Sequence, residues 1–160
     1  MLSHVRIALS EEHEQIFRLG YDAWGEDAPM AQYLASCRAS PKYAQGRWLL
    51  LQEGGSLRSA LIVYRLGPGC AGLGSVATAP DARRRGAASR LLAGALTLLE
   101  ADGDHTFFLF ADRVPELYQR QGFVPLPAAH QRRQGSICMV RTALPENLWA
   151  EPGFCSPHYF

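Results

Sequence analysis

A run of arginines followed by small residues is the part of the chain best suited to bind phosphate. The run and the small residues that follow it are Arg83, Arg84, Arg85, Gly86, Ala87, Ala88 and Ser89. A predicted helix begins there, and the first N–H groups of a helix are unpaired and lie at the positive end of its dipole. Small residues let the main chain approach an anion, and arginine adds charge-assisted donors. The segment fits a phosphate-binding loop, and it equally fits a solvated basic turn before an amphipathic helix.

Two other phosphate-binding motifs do not match the sequence. A Walker loop ends in Gly-Lys-Ser/Thr, but the only lysine, Lys42, lies away from any glycine-rich turn. The glycines at positions 67, 69, 72 and 74 precede a predicted strand rather than a helix, which is the wrong context for a dinucleotide-binding turn. We interpret these glycines as a bend and the beginning of a strand.

The elements around the arginine run alternate between strand and helix. Leu73–Thr78 is a predicted strand, and the helix after the run has leucine and alanine at helical spacing, namely at Leu91, Leu92, Ala95, Leu98 and Leu99. His105–Ala111 is a continuous apolar run, typical of a strand covered on both faces. A short helix begins near Pro115 and ends at Gly122. Strand, helix and strand in this order predict a parallel crossover.

The rest of the chain predicts antiparallel strands and two further helices. His4–Ala8 is a strand, and Ser10 caps a helix that runs to about Trp24, followed by a helix over Met30–Cys37. Two strands, Arg47–Glu53 and Leu57–Leu66, flank a Gly-Gly turn, and Ser136–Ala143 is the last strand. The sequence therefore predicts a mixed α/β fold in one domain over residues 1–160, in which 144–160 is an ordered extended segment.

Composition excludes several classes of protein. The 160 residues are 48% hydrophobic, and 16 basic against 15 acidic residues give a net charge of +1. The length and the hydrophobic fraction predict one packed core. The small net charge argues against a protein that binds nucleic acid through overall positive charge. Without a signal peptide or a long apolar helix, we expect a soluble cytoplasmic protein with no membrane partner. Its scattered cysteines predict reduced thiols, and Cys155 with His158 lacks the further ligands that a metal site needs.

Two motifs in order resemble the GNAT acyltransferase family. That family's acyl-CoA motif, Q/R-x-x-G-x-G/A, is matched by Arg83, Gly86 and Ala88. A tyrosine four residues before a Gly-Phe pair is matched by Tyr118 and by Gly122-Phe123. One helix and one strand separate the motifs, which span about 73–123, and the elements before them are compatible with the family.

The resemblance implies a GNAT-like mixed central sheet flanked by helices and splayed between its fourth and fifth strands, with a thioester in the cleft. Main-chain groups of Val76, Ala77 and Thr78 would pair with the pantetheine arm and acyl group of acetyl-CoA. Main-chain N–H groups from Arg84 to Ser89 would hold the pyrophosphate. The implied activity is acetyl transfer to a primary amine of a small molecule or protein, without a metal.

The implied chemistry assigns a general acid but leaves the base open. Tyr118 matches the position of the family's general acid, and the Val76 N–H is a candidate oxyanion donor. The fourth strand has no carboxylate, so the candidate bases are Glu26, Asp27, Asp112, His105 and the Phe160 carboxylate, besides water. His105 is expected far from the cleft, and Asp112 could instead cap a helix.

Three questions remain open at this level. A catalytically silent acyl-CoA-binding regulatory domain is the alternative to an enzyme, and a homodimer is an open option. Tyr21, Trp24 and Tyr33 would suit a cationic acceptor if they line the cleft, and they are equally compatible with the core. The aromatic tail, 144–160, is expected to dock on the acceptor mouth, on a second subunit or on a hydrophobic face of the sheet.

Overall fold

The structure is a computed structural model that describes residues 2–144 and 148–160. The helices in the described residues are α1 (His13–Leu19), α2 (Tyr21–Trp24), α3 (Met30–Ala39), α4 (Pro41–Ala44), α5 (Ala87–Ala101) and α6 (Pro115–Gln119). The strands are β1 (Ser3–Ile7), β2 (Arg47–Glu53), β3 (Ser56–Gly67), β4 (Cys70–Thr78), β5 (Thr106–Ala111), β6 (Val124–Pro125) and β7 (Ile137–Thr142).

All seven strands belong to one sheet with the order β1-β2-β3-β4-β5-β7-β6. Only β4 and β5 pair in parallel, and α5 makes the crossover between them. The other neighbours are antiparallel. The predicted mixed fold is confirmed, including the crossover. The two-residue strand β6 was not predicted, because two residues are too few to show an alternating pattern.

Helices cover both faces of the sheet, so alternate residues of the central strands enter different cores. Leu61 and Val63 of β3 pack with α5, whereas Ile62 and Tyr64 pack with α1 and α3. Strand β5 is buried on both faces, as its apolar run predicts. We call the side of the sheet that packs against α5 the α5 face, and the side that packs against α1 and α3 the α3 face. At about 1.5–3 kcal/mol for each large buried side chain, such burial is the main stabilising contribution.

Two helices differ in detail from their predictions. The predicted first helix is interrupted at Gly20, where the Trp24 ring occupies the space that a side chain would need. In α5, Leu96 is 3% exposed and faces the core, whereas Leu98 is 38% exposed at the edge of the apolar face. Leucine at both positions makes the buried face hard to assign from periodicity alone.

An ion pair stabilises the connection between β1 and α1. The Glu12 carboxylate accepts hydrogen bonds from the Arg6 guanidinium at 2.6 and 2.9 Å and from the Leu9 N–H at 2.7 Å. The Arg6 hydrogen bonds lower the pKa of Glu12 to about 2. We expect Glu12→Gln to lower the free energy of unfolding at pH 7 by about 1 kcal/mol, a value reduced for solvent screening.

The pH dependence of that difference is the check. A depressed carboxyl pKa stabilises the fold above the unfolded-state value and loses its effect as the pH falls toward the folded-state value. Urea unfolding of both proteins should therefore give a constant difference above about pH 5 that disappears toward pH 2. A difference that is unchanged at low pH would assign the effect to packing rather than to charge.

Candidate active site

The sheet opens between β4 and β5. Their pairing runs from Cys70↔Thr106 to Leu73↔Leu109 and then ends, although β4 continues to Thr78. Within the described residues, the edge of 74–78 that faces β5 therefore has no strand partner. Unpaired main-chain donors and acceptors on a strand edge can pair with an extended ligand. The predicted residues Val76, Ala77 and Thr78 all lie on this edge.

A β-bulge lies where the two strands separate. The pairing with β3 advances by two residues from Ala60 to Ile62, while β4 advances by three from Ala77 to Gly74. Ser75, inside the bulge, has a φ of 49°. A bulge leaves one residue out of the ladder and redirects its main-chain groups. The bulge thus changes the direction of the main-chain N–H and C=O groups near Ser75. We call this part of the opening, next to the last β4–β5 pair, its narrow end.

The arginine run forms a tight turn between β4 and α5. Arg84 and Gly86 have φ values of 59° and 77°, and α5 begins at the next residue. A Cβ added at Gly86 would approach only the Arg90 side chain, at 3.1 Å, so the loop is open above this glycine. The first-turn N–H groups of a 15-residue helix lie beside that space. The residues present therefore fit a phosphate group.

The three arginines of the run have different surroundings. Arg83 donates from Nε to the Thr78 carbonyl at 3.1 Å and forms an ion pair with Asp22 of α2 at 2.6 Å. Arg84 and Arg85 are exposed, and no side-chain hydrogen bond or ion pair forms at either within the described part of the chain. Arg83 therefore fixes the loop geometry, and the other two can reach an anion.

Tyr118 lies in α6, which begins shortly after β5 ends. Its ring packs edge-on against Phe123 at 6.4 Å, and the Phe123 N–H donates to the Tyr118 carbonyl at 3.1 Å. The side chain is half-buried against the core of the α5 face. Burial raises the pKa of Tyr118, and the nearby Asp112 charge raises it further. The phenol is consequently protonated at neutral pH and can donate a proton.

The candidate bases lie in different parts of the molecule. Asp112 follows β5 directly and accepts a 2.6 Å hydrogen bond from the Ser136 hydroxyl, and its charge adds to the effect of burial in raising the pKa of Tyr118. Glu26 and Asp27 are exposed in the α2–α3 loop, with φ values of 49° and 60°. His105 precedes β5, so about 20 Å of strand separates it from Asp112. Asp112 is the candidate base whose charge acts on Tyr118, and Phe160 is the candidate whose ring lies over Gly72 in β4.

The three aromatic residues considered for a cationic acceptor differ in exposure and in what their polar groups bind. Tyr33 is buried and its hydroxyl donates to the Phe17 carbonyl at 2.8 Å, which makes it a core residue. The Tyr21 hydroxyl donates to the Ala28 carbonyl at 2.5 Å and shapes the α2–α3 loop. Trp24 is 43% exposed.

Sequence reasoning missed the purpose of two glycines in β4. The Phe160 ring lies over Gly72 and Gly74 on the α3 face, and a Cβ added at Gly72 would lie 2.5 Å from it. The same ring packs against Phe110 of β5 at 5.1 Å. Phe160 therefore covers the narrow end of the opening. Glycines two residues apart in one strand lie on the same face. This spacing could have indicated that one face of β4 lacks side chains and leaves room for a ring.

Several side chains hold the rest of the tail against the domain. Ser156 is buried and accepts a 2.9 Å hydrogen bond from Arg132 Nε. The Tyr159 ring lies 3.7 Å below the Arg133 guanidinium and packs against Phe110 at 5.1 Å. Residues 145–147, within the predicted extended segment, lie outside the described residues.

The cysteines, the possible metal ligands and the lengths of the helices were compared with their predictions. Cys37 and Cys138 are free and buried, Cys70 is free and half-buried, and Cys155 is free and exposed. Over residues 2–144 and 148–160, the structure has no cluster of three or more His, Cys, Asp or Glu side chains suited to a metal ion. None of the helices in these ranges is long and apolar enough to span a membrane.

Comparisons with known proteins agree with this geometry. A family model described as an acetyltransferase (GNAT) domain matches residues 4–126. A search of curated proteins found no match.

Solved structures are similar in fold over nearly their whole length. The PaiA N-acetyltransferase from Thermoplasma acidophilum, in complex with coenzyme A, has a TM-score of 0.68 at 12% identity, covering 89% of this chain and 99% of that one. A histone acetyltransferase HPA2 and related acetyltransferase from Corynebacterium glutamicum gives 0.67 at 20% identity, over 91% and 99%. A Bacillus subtilis acetyltransferase in complex with CoA gives 0.64 at 14% identity, over 89% and 100%.

Proposed function

Because the chain belongs to the GNAT acetyltransferase family, we propose that it transfers the acetyl group of acetyl-CoA to a primary amine of a small molecule or a protein by direct attack. The protein is an acyl-CoA-dependent N-acyltransferase with acetyl-CoA as its co-substrate. The observation that carries the proposal is the opening between β4 and β5, which has a bulge at its narrow end and the arginine loop at its wide end.

The proposed cofactor contacts use main-chain groups along this opening. N–H groups from Arg84 to Ser89 hold the pyrophosphate, with the exposed Arg84 and Arg85 side chains adding positive charge. The free edge of Val76, Ala77 and Thr78 pairs with the pantetheine arm, as a strand would. Main-chain contacts explain why Ala88 is compatible with a position where the motif also allows glycine.

The proposed chemistry needs three groups at the narrow end. The Val76 N–H donates to the thioester carbonyl oxygen, a contact that is worth a few kcal/mol in comparable sites. Tyr118 gives its proton to the departing thiolate sulfur, which its raised pKa permits at neutral pH. An alkylamine with a pKa near 10.4 arrives protonated, so a base must remove that proton first.

We assign the base to Asp112, acting directly or through a water molecule. Its position after β5, the orienting hydrogen bond from Ser136 and the effect of its charge on the pKa of Tyr118 support this assignment. Glu26 and Asp27 lie in the loop after α2, the helix whose Asp22 forms an ion pair with Arg83, and they are the second choice. The free thiols fit the cytoplasmic setting that we propose for the reaction.

Thiol release from acetyl-CoA, measured with and without amines, tests the proposal. We expect acetyl-CoA to raise the melting temperature, and release to require an amine and to yield an N-acetylated product by mass spectrometry. Thermal stabilisation without amine-dependent release, over a panel of small amines and peptide amines, would contradict the proposed reaction. That result would instead favour a silent acyl-CoA-binding domain.

A further inference from the structure

A recess lies on the α3 face of the sheet, beside the narrow end of the opening. Its volume is about 420 Å³, within the range of small-molecule sites, and residues of α4, β3 and the tail line it. Phe160 lines the recess and also covers Gly72, Gly74 and Phe110, where β4 and β5 separate. The recess therefore adjoins the reaction site from the face opposite α5.

One lining residue has a buried hydroxyl that lacks a partner. Tyr64 is 7% exposed, and its hydroxyl has no hydrogen-bond partner in the described residues. Buried hydroxyls are nearly always paired, and an unpaired one needs an explanation. An oxygen atom of a ligand would supply the missing acceptor.

The only lysine of the chain stands at the rim of the same recess. Within residues 2–144 and 148–160, Lys42 forms no ion pair, and its Nζ lies 5.4 Å from the centre of the Tyr159 ring. The charges of Asp112 and Arg133 act on Lys42 in opposite directions, so they offset each other in part. The other lining cation, Arg65, is committed to a two-point ion pair with Asp104. Lys42 is thus the lining cation that remains available to a ligand.

Tyr64 connects the recess to the bulge of β4. A Cβ added at Gly74, the residue before Ser75, would lie 3.7 Å from the Tyr64 ring. Ser75 is the bulge residue with positive φ. A molecule with its amine at the bulge can therefore extend past Tyr64 toward Lys42, which lines the same recess.

We propose that the recess holds the carboxylate of the acceptor, so that the enzyme acetylates primary amines of the amino-acid class. The Lys42 ammonium pairs with the carboxylate, and the Tyr64 hydroxyl donates to one of its oxygens. In the reaction Asp112 accepts one proton from the ammonium group, and the neutral amine nitrogen forms a bond to the acetyl carbonyl carbon as the carbon–sulfur bond breaks. Tyr118 protonates the departing thiolate sulfur, and the proton lost by the new amide nitrogen returns to the Tyr118 phenolate. This inference rests on the proposed function.

The test compares amines that differ at one end only. The probes are straight-chain primary amines of two to six carbons, each with a carboxylate, carboxamide or methyl group at the far end. We expect the best carboxylate to be acetylated with a kcat/KM roughly ten- to a hundred-fold above its own amide, as charge-assisted hydrogen bonds predict. Lys42→Met should abolish that preference, Lys42→Arg should retain part of it, and Tyr64→Phe should reduce it.

Two controls separate this inference from the proposed reaction. Arg18→Met removes one positive charge from an exposed ion pair on α1 and should leave the preference unchanged. Equilibrium dialysis of the radiolabelled carboxylates, with CoA present, measures their binding without turnover. Carboxylate binding that depends on Lys42 but gives no acetylated product would overturn the reaction and support the recess.

The remaining outcomes contradict the recess assignment. Acetylation of the methyl-ended amines at the same or a higher kcat/KM would leave the reaction intact and remove the carboxylate site. The same conclusion follows if the carboxylates neither bind nor react, or if Lys42→Met leaves their preference over the amides unchanged.

Discussion

Replacing Gly86 by Asp is expected to weaken acetyl-CoA binding by at least about 100-fold, since a carboxylate would face the pyrophosphate in a loop built for anions. A Cβ at position 86 meets only the flexible Arg90 side chain, and Asp tolerates a φ of 77° better than most residues. The loss should therefore come from charge rather than from misfolding. Isothermal titration calorimetry with acetyl-CoA gives the dissociation constants.

Gly86→Asn is the matched control, because it has the same shape and the same tolerance of positive φ without the charge. We expect its affinity to lie between those of the wild type and Gly86→Asp, and the melting temperatures of the two ligand-free variants to agree. Equal affinities in Gly86→Asp and the wild type would move the cofactor phosphates to another part of the molecule.

Tyr118→Phe should lower kcat by roughly 10²–10⁴-fold, the usual contribution of a general acid, while acetyl-CoA affinity is unchanged. The variant keeps the edge-on packing with Phe123 and loses only the proton donor. Because burial raises the Tyr118 pKa above its ordinary value near 10, the wild-type kcat should not fall through loss of this proton below about pH 10. Steady-state thiol release, with chemistry shown to be rate-limiting, measures both effects.

A second tyrosine shows whether any lost hydroxyl would have the same effect. In Tyr33→Phe the missing hydroxyl is one that donates to the Phe17 carbonyl inside the core, so stability should fall by about 1 kcal/mol with little change in kcat. A Tyr118→Phe enzyme that turns over at the wild-type rate would make Tyr118 a packing residue and assign the acid to water or another group.

Much of the fold was accessible from the sequence because local patterns coincide with tertiary burial. The continuous apolar run in β5 and the periodic leucines of α5 predict a buried strand and a one-sided helix, and both predictions are confirmed. The Gly54-Gly55 turn likewise predicts the β2–β3 hairpin correctly. The arginine loop is recognisable because its residue types and the helix that follows it are contiguous in the sequence.

The features that shape the reaction site are not local, so patterns along the chain could not reveal them. The positive φ at Ser75 has no glycine or asparagine to mark it, and the bulge appears only when β4 is aligned with β3. The packing of the Phe160 ring on Gly72 brings together residues that are far apart in sequence. The sequence around Tyr64 predicts a buried strand. That its hydroxyl has no hydrogen-bond partner in the described residues is visible only in the three-dimensional structure.

The extra residue of β4 also limits how this strand can change during evolution. Leu73 and Val76 both contact the α5-side core although they are three positions apart, because the bulge reverses the alternation of faces between them. Deleting one residue of the bulge would restore regular pairing, because Ala77 would still lie opposite Ala60 and Val76 would still face the same core as Leu73. Such a deletion would remove only the redirected main chain at Ser75, so the extra residue is needed for the shape of the opening and not for the pairing of β4 with β3.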